Sequence, residues 1–201
     1  MSVYRLTASL LNSWLRATDP DAEGNEYADF LADLGREQRP TGPAAQMGID
    51  FENTVDQASQ GIYDKTEEPS ADLAAAIAFG NRLKGAGYQV KAMKQTEVCG
   101  VPLNLVGIAD FVKAGVITDI KRVMRYEYGK YQNSVQHPMY MELWPEAIRF
   151  DYLIWDGKYA YAETYRRGDF EPVTGTIQRF LNYLDAAGLT YTYFSHWKEK
   201  E

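Results

Sequence analysis

Three charged residues stand inside the two otherwise apolar, β-prone segments 107–112 and 116–121. They are Asp110 in Gly107-Ile108-Ala109-Asp110-Phe111-Val112, and Asp119 and Lys121 in Val116-Ile117-Thr118-Asp119-Ile120-Lys121. Residues i and i+2 of a strand point to the same face, so Asp119 and Lys121 project together, and they lie beside Asp110 if the two strands pair as a hairpin across the turn at Gly115. Two hard oxygen donors and an ammonium then share one patch. Such carboxylates can hold Mg²⁺ or Mn²⁺, while a lysine beside them can orient or deprotonate an attacking water and offset the charge of a phosphate. That is the chemistry of metal-assisted phosphodiester hydrolysis. An exposed hairpin with a cross-strand ion pair would use the same residue types and be worth less than about 1 kcal/mol. Val116, Ile117 and Ile120 argue instead for a central, largely buried strand, where charges are rarely placed without a partner or a metal.

The elements that must position these residues follow from periodicity and punctuation. Apolar residues at helical spacing predict helices near 7–16, 25–35, 44–60, 70–86, 129–143 and 171–187. Ser70 before Ala71-Asp72-Leu73 is a cap, and Gly85 and Gly87 close that segment. Strands are predicted near 88–97, 101–112, 116–122, 149–156 and 159–167, with Asp156-Gly157 as the hairpin signal between the last two. Helices first, then three strands, a helix and two more strands, predict an α/β fold with a central mixed sheet flanked by helices. With 201 residues and 45% hydrophobic content the chain can bury one core, and no composition shift marks a second domain. The expectation is one domain over 1–201, with an N-terminal helical part to about residue 87, a sheet-containing core over about 88–188 and a short tail.

Five segments stand in order along the chain: Leu6-Thr7-Ala8-Ser9-Leu10-Leu11-Asn12-Ser13-Trp14-Leu15, Gly48-Ile49-Asp50-Phe51-Glu52, Gly107-x-x-Asp110, Asp119-x-Lys121 and Gln136-x-x-x-Tyr140. In that order they resemble the PD-(D/E)XK nuclease superfamily, in its RecB-like and phage-exonuclease (lambda-type) branch, whose first helix is serine-capped. RecB-type members carry a histidine where this chain has Glu52, whereas the phage-exonuclease type carries a glutamate; Asp119 in place of glutamate is also allowed. The resemblance implies a restriction-endonuclease-like core and a Mg²⁺- or Mn²⁺-dependent DNA nuclease, an exonuclease working in recombination or DNA processing. It implies that Glu52, Asp110, Asp119 and the Ile120 carbonyl hold the metal and that Lys121 positions the water. Iron–sulfur members require several cysteines, and with Cys99 alone a cluster is excluded. On its own residues Glu52 lies at the edge of a stripe formed by Met47, Phe51, Val55 and Ala58, where a glutamate is usually just solvated. Gly48, four residues earlier, would permit the helix to approach the sheet closely.

Supporting residues are read from the flanks. Gln136 and Tyr140 share a helix face with Asn133, and the resemblance turns the pair toward the active site. Pro138 inside that helix would remove a backbone hydrogen bond and bend it. His137 is expected to be surface or structural, as is His196 in a frayed tail. Tyr126, Tyr128 and Tyr131, interleaved with Arg125 and Lys130, offer stacking surfaces beside positive charge. Ser9 and Asn12 could reach a phosphate from the first helix, although Ser9 serves equally well as a cap or packing residue.

The formal net charge of −7 and pI near 5.0 argue at first against nucleic acid, because phosphate binding relies on Lys and Arg. The distribution softens this: residues 17–33 hold acidic residues and no Lys or Arg, whereas Lys121, Arg122, Arg125 and Lys130 cluster against Glu127 alone. Weak intrinsic DNA binding, helped by metal or by a recombination or phage partner protein, is the expectation. The N-terminus lacks a signal-peptide pattern and no long apolar run is present, so a cytoplasmic protein without a membrane partner is expected. A catalytically silent nuclease-fold binding protein, such as an inhibitor or DNA mimic, is the alternative from another class; a sequence-specific restriction endonuclease would need recognition segments that this length barely accommodates.

Overall fold

A computed structural model describes residues 2–22, 24–63 and 69–199. In chain order the elements are β1 (Tyr4–Thr7), α1 (Ala8–Ala17), α2 (Glu26–Leu34), α3 (Pro43–Ser59), α4 (Ala71–Leu83), β2 (Gly87–Val98), β3 (Val101–Lys113), β4 (Val116–Arg122), α5 (Gln136–Leu143), β5 (Arg149–Trp155), β6 (Ala160–Arg166), α6 (Val173–Ala186) and α7 (Thr190–Trp197). The fold is α/β, a six-stranded mixed sheet flanked by helices. The sheet runs β1-β3-β4-β5-β6, with β2 paired to β3 in addition. Among the described residues no helix is long and apolar enough to cross a membrane.

The sheet's most consequential feature is the sharing of β3. One edge of this long strand is taken by antiparallel β2, from Gly87↔Val112 to Val98↔Val101, with the single step at Gln89 and Asp110 unpaired. The other edge is divided. Parallel β1 pairs with it over Tyr4↔Leu103 to Thr7↔Val106, and antiparallel β4 only over Phe111↔Thr118 to Lys113↔Val116. Residues 107–110 therefore face a gap between β1 and β4. Beyond it, β4 pairs parallel with β5, and β5 antiparallel with β6.

Strand parity distributes the apolar side chains over two cores. Ile117 lies in the larger one, with Leu10, Leu11, Trp14, Met139, Tyr140, Phe150, Ile177 and Phe180. Ile120, at the opposite parity, lies in the smaller one with Phe51, Val55, Ala76, Phe79, Leu153 and Trp155, under α3 and α4. Two glycines set helix distances. A Cβ at Gly80 would fall 2.6 Å from Ala58 Cβ, so α4 crosses α3 closely there; a Cβ at Gly107 would fall 2.6 Å from Leu143 Cδ1 and 2.9 Å from Tyr140 Cε1, so α5 rests on bare strand backbone. Gly48, expected to allow close approach, has no neighbour among the described residues within 4 Å of where a Cβ would stand. That expectation fails because α3 is buried only from Phe51 onward; Gly48 shares the face of Phe51 and Val55 but lies before the packed length of the helix.

Several elements differ from expectation. The N-terminal part is not wholly helical, because Tyr4–Thr7 joins the sheet; four residues carry too little pattern to mark a strand, and their partner is β3, distant in sequence. Thr7, not a serine, caps α1, its Oγ1 accepting from Leu10 N at 3.3 Å. Ser70 caps α4 as expected. The helix predicted near 129–143 is only Gln136–Leu143, preceded by turns. Pro138 is thus its third residue, in the first turn where no intrahelical acceptor exists for its N–H, and no hydrogen bond is lost. The tail is not frayed: it forms α7, where the Tyr193 hydroxyl donates to Arg5 O and Trp197 Nε1 donates to Leu34 O. His137 is buried, stacked on Tyr165 at 4.0 Å, with Nδ1 3.3 Å from the Tyr152 hydroxyl. Its environment is structural, as one branch of the expectation had it.

Candidate functional site

Asp110 and Asp119 would face one another across the β3–β4 hairpin if its ladder continued, but the pairing stops one step earlier, at Phe111↔Thr118. Ile120 N instead donates to Asp110 Oδ2 at 2.8 Å, so a carboxylate takes the place of a strand carbonyl. A residue's N–H and C=O leave a strand on the same edge, which turns the Ile120 carbonyl into the gap as well. The freed carbonyl of Ile108 accepts from the Tyr140 hydroxyl at 2.8 Å. The opening is therefore satisfied by side chains and not left bare.

Asp119 is 2% exposed. Gln136 Nε2 donates to its Oδ1, and Lys121 Nζ lies 2.5 Å from its Oδ2. The latter contact is an ion pair without hydrogen-bond alignment, and Oδ2 is buried with no other partner among the described residues. Lys121 Nζ also stands 5.9 Å from the ring centres of Tyr131 and Tyr152, which stack on each other at 4.6 Å. From α3, Glu52 closes the patch: its Oε1 accepts from Tyr88 OH at 3.1 Å and from Gln89 Nε2 at 2.5 Å.

Three carboxylates and one ammonium are close enough for their charges to act on one another. Burial, then the charges of Asp119 and Glu52, push the Asp110 carboxyl well above the usual carboxylate range, against the opposing pull of Lys121 and the Ile120 N–H. Burial also raises Glu52, while its hydrogen bonds from Gln89 and Tyr88 hold it down. For Lys121 burial favours the neutral form, but Asp119 and Asp110 outweigh it and keep the ammonium above its ordinary range. A lysine so held suits orienting a water or a phosphate and not removing a proton.

The donor set fits a hard divalent cation. Among the described residues Glu52 Oε2 and Asp110 Oδ1 make no hydrogen bond, Asp119 Oδ2 has only the ammonium, and the net charge of the four groups is negative. No three acidic, His or Cys side chains among those residues stand as a ready coordination group, however. The engaged oxygens would have to turn from their donors for all three carboxylates to share one ion.

The other predicted residues divide. Gln136 reaches Asp119, and Tyr140 supports the gap. Arg122 turns away to the opposite side of β4, pairing with Asp72 at 3.1 Å and donating to Val123 O; strand parity separates it from Lys121. Arg125 pairs with Glu127 at 2.8 Å in solvent. Lys130 lines a cleft of about 820 Å³ that begins at Lys121 and Gln136 and runs past Tyr131 between α1 and α6. Ser9 is exposed and makes no hydrogen bond with the patch among the described residues. Asn12 acts structurally: its Oδ1 accepts from Val135 N and its Nδ2 donates to Ser134 Oγ, fixing the start of α5 and with it Gln136. Sequence reasoning missed Tyr88 and Gln89, and also Arg16 and Arg179, cations of the cleft that form no ion pair among the described residues. Only the fold brings these positions to the patch; no local spacing announces them.

No family model and no curated protein matches the chain. One solved structure, described as "Crystal structure of SSO0001", is similar over 84% of this chain and 93% of that one, at 16% identity and a TM-score of 0.45. A likeness of that size carries no argument about what this chain does.

Proposed function

We propose that this chain is a Mg²⁺- or Mn²⁺-dependent nuclease that hydrolyses DNA phosphodiester bonds, an exonuclease of phage type in DNA recombination or processing. The observation that carries this reading is the convergence of Glu52, Asp110, Asp119 and Lys121 at the break in the β3–β4 ladder, with an open cleft leading away from it. Glu52, Asp110, Asp119 and the Ile120 carbonyl would hold the cation. When bound, the ion would supply Lewis acidity to the phosphate and lower the pKa of a water. Lys121, held as an ammonium, orients that water and the phosphate oxygens. Gln136 fixes the Asp119 carboxylate, and Tyr140 fixes β3 at Ile108, two residues before Asp110. Arg16, Lys130 and Arg179 in the cleft, set against Asp19 and Glu171, would take the backbone phosphates, which reconciles an acidic chain with a polyanionic substrate. DNA is then the partner, in the cytoplasm, with a recombination or phage protein supplying the affinity that the net charge denies.

Linear and closed-circular DNA incubated with Mg²⁺, Mn²⁺ or chelator test the reading. Loss of the linear form alone, with metal alone, is the expected result. A second reading, a catalytically silent binding protein of the same fold, is favoured by one observation: each carboxylate already has an oxygen engaged by a protein donor. Unchanged melting in millimolar metal, together with no cleavage of either DNA, would select it.

A further inference from the structure

Tyr88 and Gln89 are consecutive in β2, and consecutive strand side chains normally leave on opposite faces. Here both reach the same carboxylate oxygen, Glu52 Oε1. The backbone explains how. Gln89 has φ of +50°, the left-handed region that residues other than glycine enter only at a cost, and it does so inside a strand where nothing local requires a turn. The pairs Tyr88↔Phe111 and Val90↔Ala109 form on either side, but Gln89 and Asp110 do not pair. Across that single step the strands change face: Tyr88 and Phe111 pack with the core under α3 and α4, whereas Val90 and Ala109 pack with the larger core opposite. The irregularity in β2 thus lies directly across from Asp110, and its side chain ends on Glu52.

We propose that Gln89 is the positioning residue of this site: its left-handed backbone turns a second donor onto Glu52, holds Oε1 and presents Oε2 to a divalent cation shared with Asp110 and Asp119. The cation in this statement rests on the function proposed above; the hold of Gln89 on Glu52 does not. Tyr88 alone could not fix the carboxylate, because its hydroxyl is shared with Asn53 Oδ1 at 3.2 Å. Two donors on one oxygen define the direction of the other.

The test has two readouts. In ¹⁵N-labelled protein without metal, the Gln89 side-chain amide should be protected from exchange and should lose that protection in Glu52→Ala; an amide indifferent to Glu52 overturns the hold. Calorimetric titration with Mg²⁺ then compares Gln89→Gly, which keeps the backbone and removes the amide, with Gln89→Val, whose β-branched side chain resists positive φ. The expected rise in Mg²⁺ dissociation constant is about tenfold for Gln89→Gly and approaches about a hundredfold for Gln89→Val. Wild-type affinity in Gln89→Gly overturns the role toward the cation, and a Gln89→Val no weaker than Gln89→Gly overturns the role of the backbone. Should wild-type protein bind neither Mg²⁺ nor Mn²⁺, the proposed function falls, while the amide measurement still decides whether Gln89 holds Glu52.

Discussion

Asp119 and Asp151 stand on adjacent parallel strands, and each is 2% exposed. Their surroundings differ. Asp151 accepts from the Thr164 hydroxyl at 2.8 Å and is paired with Arg149 at 3.1 Å and Arg82 at 3.6 Å, so two guanidiniums face one carboxylate. Asp119 shares a single ammonium with Asp110 and Glu52 and is steadied by a neutral amide. Equal burial therefore means different things: Asp151 is compensated in full by the protein, whereas the patch around Asp119 is left with an excess of negative charge that a cation would relieve. The imbalance, not the burial, marks the candidate site.

The comparison is most sharply tested by exchanging each carboxylate for an amide. Asp119→Asn should abolish metal-dependent cleavage, a fall of several orders of magnitude, with little loss of stability because repulsion of Asp110 is relieved. Asp151→Asn should leave cleavage close to wild type while lowering stability by about 1–3 kcal/mol in urea unfolding, since it breaks a paired, hydrogen-bonded group. The opposite pattern would erase the distinction drawn between them.

Lys121→Ala comes next. It should slow cleavage by roughly 10²–10³-fold, the range for a positioned donor that stabilises charge in the transition state, while Mg²⁺ binds as well or better with the ammonium gone. Equal loss of metal binding in Lys121→Ala and Asp119→Asn would show that the lysine holds the ligands and does not act on the substrate.

His137 adds a pH dependence on the Asp119 face of the sheet, opposite Asp151, where it stands against Tyr152. Burial pushes its imidazole down to about 4, below the ordinary 6.5, so the unfolded chain takes up a proton that the folded one refuses. Its contribution is complete above pH 6.5 and is lost as pH falls toward 4, by up to roughly 3 kcal/mol. The raised carboxyls of Asp110 and Glu52 act in the opposite sense, each gaining stability on protonation, so wild type is compared with His137→Phe. The melting temperature of wild type relative to His137→Phe should fall in acid; a difference independent of pH would mean that His137 takes up its proton as readily in the fold as in the unfolded chain.

The smallest effect belongs to the cleft. Arg16→Ala with Arg179→Ala should weaken DNA binding severalfold and reduce the salt dependence of affinity by up to about two counterions, without changing Mg²⁺ affinity. No change in either quantity would place the DNA elsewhere.

By itself the sequence determined which residues can share a patch and much of the frame around them. Strand parity places Asp119 with Lys121 and separates both from Ile120, helical periodicity places Phe51 and Val55 in the core, and Ser70 and Asp156-Gly157 mark a cap and a hairpin, because each of these rests on neighbours within a few residues. The tertiary structure alone decided the rest. The gap in β3 exists because β1 and β4 claim separate lengths of one edge, and the seating of α5 depends on Asn12, far away in the chain. The positive φ at Gln89 and the reach of its amide to Glu52 arise from long-range packing, for which no local propensity speaks. Arg122 shows the same division from the other direction: composition groups it with the cations of the site, and the parity of β4 sends it to Asp72 on the opposite side of the sheet.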